Sequence, residues 1–206
     1  MLYAQYGCGL SAPEGWINFD ASPTLLLQRL PLVGRTFRTD KYPKFPPSVR
    51  YGDVVKGLPL DPGSCAGIYC SHVLEHLSLE DLRRALLNTA RYLHGGGRFR
   101  LVIPDLRALA VEYLESSRND AAVTFMDSTR LGRRVRPKRP TELARAWLGG
   151  SEHLWMWDYP SIALELQTAG FVNIRRAQHL DSVDPRFCEA EDESRWFNCL
   201  GVECMK

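Results

Sequence analysis

Two glycines near the start of the chain and a carboxylate shortly after them have the types and spacing of a ligand-binding turn. Gly7 and Gly9 follow a short apolar and aromatic run, residues 2–6, which is typical of a buried parallel strand. Because they lack side chains, they let the backbone approach a ligand closely. Asp20 ends the next apolar run and can accept hydrogen bonds from ribose hydroxyls. The arrangement predicts a nucleotide-like ligand, although a Gly-x-Gly turn alone is equally compatible with a structural turn.

A second group of polar side chains follows a later apolar run, residues 66–71. Ser71 and His72 stand where this run ends, and open α/β sheets bind ligands at the carboxyl ends of their strands. His72 is therefore the first candidate for a general base, because imidazole titrates near neutrality. A histidine that only packs and donates hydrogen bonds fits the pattern equally well. His76 lies four residues further on, a spacing that can hold a metal.

Hydrophobic periodicity predicts that strands and helices alternate around these residues. A capping-box-like Ser-x-x-Asp at Ser78 begins one helix, and Gly95 to Gly97 are expected to cap its end. The other predicted helices are 24–30, stopped by Pro31, then 106–114 and 158–168. The predicted strands are 2–6, a run ending at 20, 49–54, 66–71, 98–103, 171–176 and 196–205. This order predicts a doubly wound, Rossmann-like α/β sheet.

The same segments form an ordered series of motifs. They are GCG at residues 7–9, GWINFD at 15–20, GD at 52–53, LP at 58–59, SHVLEHL at 71–77, GGGRFRLVIP at 95–104 and AGF at 169–171. This series resembles the class I S-adenosylmethionine-dependent methyltransferases, specifically their type 11-like group. SHVLEHL with the glycine turn beyond it is the most specific part. The resemblance implies about seven strands, the last of them antiparallel beside strand five.

The resemblance also implies roles for individual residues. Gly7 and Gly9 would face the amino-acid part of S-adenosylmethionine, and Asp20 would accept from the ribose hydroxyls. Near the adenine ring, Asp53 would accept from the amino group, the Val54 amide would lie beside the ring and Leu58 would cover it. Ser71 is expected to line the same site. S-adenosylhomocysteine would be the product, and the family pattern favours a structural His76, so no metal is expected.

Two features depart from the family pattern. Gln5 stands where the family usually has an acidic residue, and Ser11 stands where many members have a third glycine. Only ten residues separate Gly9 from Asp20, and Pro13 interrupts them. The helix that usually follows strand one is therefore expected to be missing or reduced to a turn.

Residues 105–157 are predicted to form a helical lid insertion that binds the acceptor, within a single domain spanning residues 1–206. Eight basic residues against three acids lie from Arg118 to Trp147, which indicates an anionic acceptor or a solvated loop. His153 is the second candidate base. The neighbouring Trp155 and Trp157 would either wall a substrate cavity or belong to the core.

Composition limits the other classes of function. The chain has 206 residues and a formal net charge of +2, which is too mild for bulk nucleic-acid binding. The sequence contains no apolar run long enough to span a bilayer and no signal-peptide pattern, so we expect a cytoplasmic protein. Its six cysteines form no Cys-x-x-Cys pair and are expected to be free thiols. Cys199 and Cys204 with a histidine match no common zinc spacing.

The sequence thus predicts a methyltransferase that acts on oxygen or nitrogen of a small or glycan-type acceptor. A non-catalytic protein that keeps the fold with a degenerate cofactor loop is the alternative. A dinucleotide-dependent oxidoreductase fits poorly, because Ala12 replaces the third glycine of Gly-x-Gly-x-x-Gly and the acid follows too early. The oligomeric state and the pathway do not follow from the sequence.

Overall fold

The computed structural model describes residues 1–30, 44–135 and 152–206. Its seven strands are β1 (Leu2–Tyr6), β2 (Ile17–Asp20), β3 (Arg50–Tyr51), β4 (Cys65–Ser71), β5 (Leu93–Pro104), β6 (Val172–Ala177) and β7 (Cys199–Met205). The helices are α1 (Pro23–Arg29), α2 (Leu79–Tyr92), α3 (Leu106–Glu115), α4 (Ala121–Thr129) and α5 (Tyr159–Thr168). Short 3-10 turns cover Leu74–His76, Pro185–Glu189 and Glu193–Arg195.

The strands form one sheet in the order β3-β2-β1-β4-β5-β7-β6. Strands β1 to β5 run parallel, and β7 pairs antiparallel with both β5 and β6. The predicted Rossmann-like fold with an antiparallel C-terminal strand is confirmed. The parallel ladder aligns the carboxyl ends of β1, β2 and β4 along one edge, so the polar residues that follow them must converge there.

The sheet is buried by apolar residues on its strands and on α2 and α5. Ile68, Phe99 and Leu101 on the central strands are fully buried, and Leu82 and Ile162 pack against them from the helices. The helix ends follow the expected chemistry. Ser78 accepts from the Asp81 amide at the start of α2, and Asp158 forms a capping box with Ser161 at the start of α5.

The glycine cap predicted for α2 is wrong. The helix ends at Tyr92 with Leu93 already extended, and residues 95–97 belong to β5. Leu93 pairs with Cys65 and Arg98 with Gly67, so the glycines form a bulge in the ladder. A Cβ on Gly97 would lie 3.1 Å from the Cys65 carbonyl oxygen. Close packing against the backbone of β4 therefore explains Gly97.

Strand three is also shorter than predicted. It covers Arg50–Tyr51 in place of 49–54, because Asp53 turns the chain. Its carboxylate accepts from the Val55 amide, and the Gly57 amide bonds back to the Asp53 carbonyl oxygen. Strand seven begins at Cys199, three residues later than the predicted start at Trp196, which ends a 3-10 turn.

Between β1 and β2 no helix forms, as predicted, and side-chain hydrogen bonds hold the connection. Gln5 is buried and donates to the Ser11 carbonyl oxygen at 2.9 Å and to Asn18 Oδ1 at 2.7 Å. Asn18 donates in turn to the Pro13 and Trp16 carbonyl oxygens. The residue that departs from the family pattern at position 5 thus supports the shortened loop.

A buried arginine fixes the segment between β6 and β7 onto the sheet. Arg100 on β5 has no exposed side-chain surface and donates to Glu191, Asp181 and Glu203. Its guanidinium lies 4.8 Å from the centre of the Trp196 ring. Buried charges need such partners, so this network determines where residues 178–199 lie, including those that reach the site.

All six cysteines are free, as predicted. Among the residues that the structure describes, no helix is long and apolar enough to cross a membrane.

Candidate active site

A cavity of about 390 Å³ lies at the carboxyl ends of β1, β2, β3 and β4. This size is within the range of small-molecule sites. Of the residues predicted to bind the cofactor, Gly7, Asp20, Asp53 and Val54 line it. The lining that sequence reasoning missed is Tyr6, Ala21, Ser22, Pro23, Gly52, Val73, His76 and Leu77. These residues lie next to predicted ones just after strand ends, and that adjacency is the signal that points to them.

The glycine turn after β1 has a backbone that only glycine adopts easily. Gly7 has a φ of +65° and Gly9 a φ of +56°. A Cβ on Gly7 would lie 2.0 Å from Cγ2 of Val73, so the turn also packs directly against the segment after β4. Gly7 lines the first cavity, whereas Gly9 faces a second cavity beside it.

Asp20 serves the turn as well as the cavity. Its carboxylate accepts from the Gly9 amide at 2.9 Å and from the Ser22 amide at 2.7 Å, one bond on each oxygen. A carboxylate offers about four acceptor positions, so roughly two remain for ribose hydroxyls. The side chain is 8% exposed and lines the cavity, which suits that role.

Of the other residues predicted to bind the cofactor, some line the cavity and others do not. Asp53 lines the cavity, but its carboxylate accepts from the Val55 amide and pairs with Lys56 at 3.2 Å. Leu58 is packed in the core with its amide bonded to the Tyr92 hydroxyl, and it is outside the cavity lining. Ser71 is buried and is likewise outside that lining. The structure therefore does not bring Leu58 and Ser71 into this cavity.

His72 lies where the two cavities meet and has a strained backbone, with a φ of +54°. Its Nε2 donates to the Arg195 carbonyl oxygen at 3.0 Å, and its Nδ1 lies 3.2 Å from Oε1 of Glu75. Hydrogen bonds with Cys199 and Glu75 raise the pKa of His72 to about 10 against the opposing effect of burial. Near pH 7 the ring is an imidazolium, which can donate a proton but has no lone pair to accept one. The geometry therefore argues against His72 as the general base.

The second cavity, of about 600 Å³, shares Gly7, His72 and His76 with the first. It lies between the end of β4, the start of β7 and the segments that flank residues 130 and 153. Its other lining residues are Gly9, Glu75, Pro104, Leu109, Ser128, Arg130, His153, Arg195, Phe197, Asn198 and Cys199. Because the two cavities share a wall, a donor in one and an acceptor in the other would meet at His72 and Gly7.

His153, the second candidate base, lines this cavity and is 7% exposed. Burial lowers its pKa, so the ring is neutral near pH 7 and can accept a proton. It packs against His76 with 4.9 Å between the ring centres. Sequence reasoning missed Glu75, which lies between His72 and His76 in SHVLEHL and is 1% exposed. The sequence signal that could have identified Glu75 is its position between His72 and His76, which have the four-residue spacing of one helical face.

The basic segment contributes less charge to the site than its composition suggests. Arg133 donates to Glu152 at 2.8 Å, and Arg134 donates to Asp127 at 2.8 Å, so both charges are compensated. Arg136, Lys138, Arg139, Glu142 and Arg145 lie outside the described residues. The cations that line the second cavity are Arg130, Arg195 and the imidazolium of His72.

The two tryptophans after His153 differ. Trp157 is 2% exposed and belongs to the core, where its carbonyl oxygen accepts from the Leu106 amide. Trp155 is 43% exposed. Of the two alternatives, the core position is therefore confirmed for Trp157, and neither tryptophan lines the two cavities.

Comparison with known proteins agrees with this arrangement. Residues 17–101 match the family described as methyltransferase domain. That segment contains Asp20, Asp53, His72 and His76. No curated protein matches the chain.

Solved structures share the fold. One is an S-adenosylmethionine-dependent methyltransferase from Thermotoga maritima, described as a possible histamine N-methyltransferase. It has 14% sequence identity and a TM-score of 0.52, and the match covers 100% of this chain and 82% of that one. An S-adenosylmethionine-dependent methyltransferase from Mesorhizobium loti has 17% identity and a TM-score of 0.52 over 100% and 90%. PigF, solved with S-adenosylhomocysteine, has 16% identity and a TM-score of 0.51 over 100% and 50%.

Proposed function

We propose that this chain is a class I S-adenosylmethionine-dependent methyltransferase of the type 11-like group. Its acceptor in this proposal is a small or glycan-type molecule that carries negative charge and is methylated on oxygen or nitrogen. The observation that carries the proposal is the pair of cavities that share a wall at Gly7 and His72. Bound S-adenosylmethionine supplies an activated methyl group on a sulfonium sulfur. The residues of this chain orient it and the acceptor.

The first cavity holds the cofactor in this proposal. Gly7 lets the cofactor approach the backbone, and the free acceptor positions of Asp20 bind the ribose hydroxyls. Asp53 and Val54 lie at the adenine end. Within the predicted insertion 105–157, the described residues 105–135 and 152–157 lie on the acceptor side in this proposal, within a single domain.

The second cavity holds the acceptor. An acceptor oxygen or nitrogen attacks the methyl carbon as the sulfur–carbon bond breaks, and S-adenosylhomocysteine leaves. Alignment of the two molecules supplies much of the rate enhancement. The proton released from the acceptor passes to the neutral ring of His153 or to water, since His72 is already protonated.

The charge of the second cavity favours an anionic acceptor. Arg130, Arg195 and the His72 imidazolium outnumber the carboxylate of Glu75. A carboxylated sugar chain fits this cavity better than its neutral counterpart.

Calorimetric titration of the full chain with S-adenosylmethionine and S-adenosylhomocysteine tests the cofactor site. Asp20→Asn keeps the shape but places an amide NH₂ against the Gly9 or Ser22 amide and removes the charge. We expect affinity to fall about 10- to 100-fold, the equivalent of a lost charge-assisted hydrogen bond. Asp61→Asn, on an exposed loop, is the matched control. Normal affinity in Asp20→Asn, or no binding by the unaltered chain, contradicts the assignment.

Release of S-adenosylhomocysteine with paired acceptors tests the acceptor class. A uronic-acid oligosaccharide and the same oligosaccharide with its carboxylates reduced to hydroxymethyl groups share a sugar backbone and differ in charge at the reduced positions. We expect turnover with the charged member and loss of that preference in Arg195→Gln. Equal turnover of both members argues for a neutral acceptor.

A further inference from the structure

We propose that Glu75, His76 and His153 bind a divalent transition-metal ion of the zinc class at the wall of the second cavity. Their ligand atoms all lie within 4.8 Å of one another. The site goes beyond methyl transfer itself, and only its effect on an acceptor rests on the proposed function. It also replaces the sequence-based expectation that no metal binds and that His76 is merely structural.

The distances are close to those of a bound set. Three atoms at the usual 2.0–2.2 Å from a zinc ion lie about 3.4 Å apart. The described spacing of up to 4.8 Å would contract towards this value when an ion binds. The His76 and His153 rings are in direct contact, edge to face at 75° with 4.9 Å between their centres.

A buried carboxylate with one unpartnered oxygen is the second and independent observation. Glu75 is 1% exposed, and among the described residues its Oε2 has no hydrogen-bond partner. Its ionic neighbour within the described part of the chain is His72, at 3.2 Å from Oε1. Removing a carboxylate from water is costly unless charge and ligands compensate it. A cation between Oε2 and the two histidines would provide that compensation.

Backbone hydrogen bonds hold Glu75 and His76 beside residues 152–155, and the His153 ring contacts Sδ of Met156 through Nδ1 at 3.3 Å. The Glu75 carbonyl oxygen accepts from the Leu154 amide at 2.8 Å and from the Trp155 amide at 3.2 Å. His76 Nδ1 donates to the Glu152 carbonyl oxygen at 3.0 Å, which fixes the tautomer and leaves Nε2 with a lone pair. Metal-binding histidines commonly have such a carbonyl partner on the second nitrogen.

The ligand types select the class of ion. Two imidazoles and one carboxylate suit zinc and neighbouring transition metals, whereas magnesium and calcium prefer oxygen ligands. Three protein ligands also leave a coordination position open, as in catalytic metal sites. Glu75, His76 and His153 all line the second cavity, so that position faces the space where the acceptor binds.

An ion at this place would bind an acceptor oxygen beside the cofactor cavity, which shares His76. It would also occupy the lone pair that His153 needs as a general base. The two roles of His153 exclude each other, and the metal titration decides between them.

The test titrates the full chain with Zn²⁺ alone after treatment with a chelator, without cofactor or acceptor. Cys188→Ser serves as the background, because this exposed thiol would bind zinc by itself. We expect one equivalent of tight binding. His153→Gln and His76→Gln should weaken it by more than the roughly 10- to 100-fold that loss of an outer-shell partner costs. His94→Gln, which changes a histidine elsewhere in the chain, is the matched control.

Thermal unfolding of each metal-free variant shows whether it folds, and the shift in melting temperature on adding Zn²⁺ gives a second readout. Absence of binding by the background protein overturns the proposal. Binding that survives His76→Gln and His153→Gln also overturns it and assigns the zinc to adventitious ligands. S-adenosylmethionine titrations judge the proposed function separately, so zinc binding without cofactor binding retains the metal site and rejects the enzyme assignment.

Discussion

Replacing Gly7 with alanine tests the contact that joins the glycine turn to the segment after β4. The new methyl group would lie 2.0 Å from Cγ2 and 3.3 Å from Cβ of Val73. Rotation of the Val73 side chain can move Cγ2 but leaves Cβ in place. The variant therefore combines a steric clash with a left-handed backbone at φ +65°.

The magnitude follows from these two contributions. A left-handed conformation costs a residue with a Cβ about 1–2 kcal/mol. Overpacking by a methyl group costs about 1–3 kcal/mol. We expect Gly7→Ala to lower the free energy of unfolding by about 2–5 kcal/mol in total, with each kcal/mol lowering the melting temperature by roughly 2–4 °C.

Gly63→Ala separates the contributions. Gly63 has nearly the same φ, +68°, but no atom lies within 4 Å of the position that a Cβ would take there. The Gly63→Ala substitution should cost only the conformational part of the stability. The loss of unfolding free energy in Gly7→Ala should therefore be larger by about 1–3 kcal/mol in chemical unfolding. S-adenosylmethionine affinity should fall in Gly7→Ala and remain normal in Gly63→Ala, because Gly7 lines the cofactor cavity.

A double-mutant cycle with Val73→Ala identifies the atoms responsible. Removing the Val73 methyl groups should recover the overpacking part in the Gly7→Ala background, giving a favourable coupling of about 1 kcal/mol or more. Equal losses of stability in Gly7→Ala and Gly63→Ala, with no coupling to Val73→Ala, would refute the reasoning.

Three other predictions concern the charged residues. Arg100→Met should lower the free energy of unfolding in urea by about 3–5 kcal/mol, because it leaves buried carboxylates unpaired. Arg98→Met removes one partner of a partly exposed ion pair and should cost about 1 kcal/mol or less. Similar losses in the two variants would show that burial of the ion pair does not matter here. Burial opposes ionisation of Asp181, but hydrogen bonds from arginines outweigh it and lower its pKa from 3.8 to about 2. The stability it contributes should be complete above about pH 3.8 and be lost as the pH falls through about 2, and Asp181→Asn should flatten that part of an acid-unfolding curve. Arg195→Gln should raise the acceptor KM and leave the cofactor affinity normal. Arg133→Gln should leave the acceptor KM unchanged, because Glu152 already compensates the charge of Arg133. The opposite result would indicate that the acceptor binds at the basic segment.

Local sequence predicted most of the fold for identifiable reasons. The apolar run at 66–71, the alternation of charged and apolar residues at 98–103 and the cap at Ser78 act over a few residues, so the sequence contains the information that positions these elements. The exceptions are places where distant backbone intervenes. The glycines at 95–97 have the composition of a helix cap, but they form a bulge against Cys65, a residue about thirty positions earlier.

The sequence by itself determined the family motifs, the order of the strands along the chain and the positions of Gly7, Asp20 and Asp53 at strand ends. Periodicity and turn chemistry require nothing beyond neighbouring residues. Tertiary structure decided the surroundings of His72, because Arg195 and Cys199 reach it from 123 and 127 residues away. It also decided that His153 meets Glu75 and His76 from more than seventy residues away. Charge, burial and ligand geometry depend on such long-range contacts, and local sequence does not specify them.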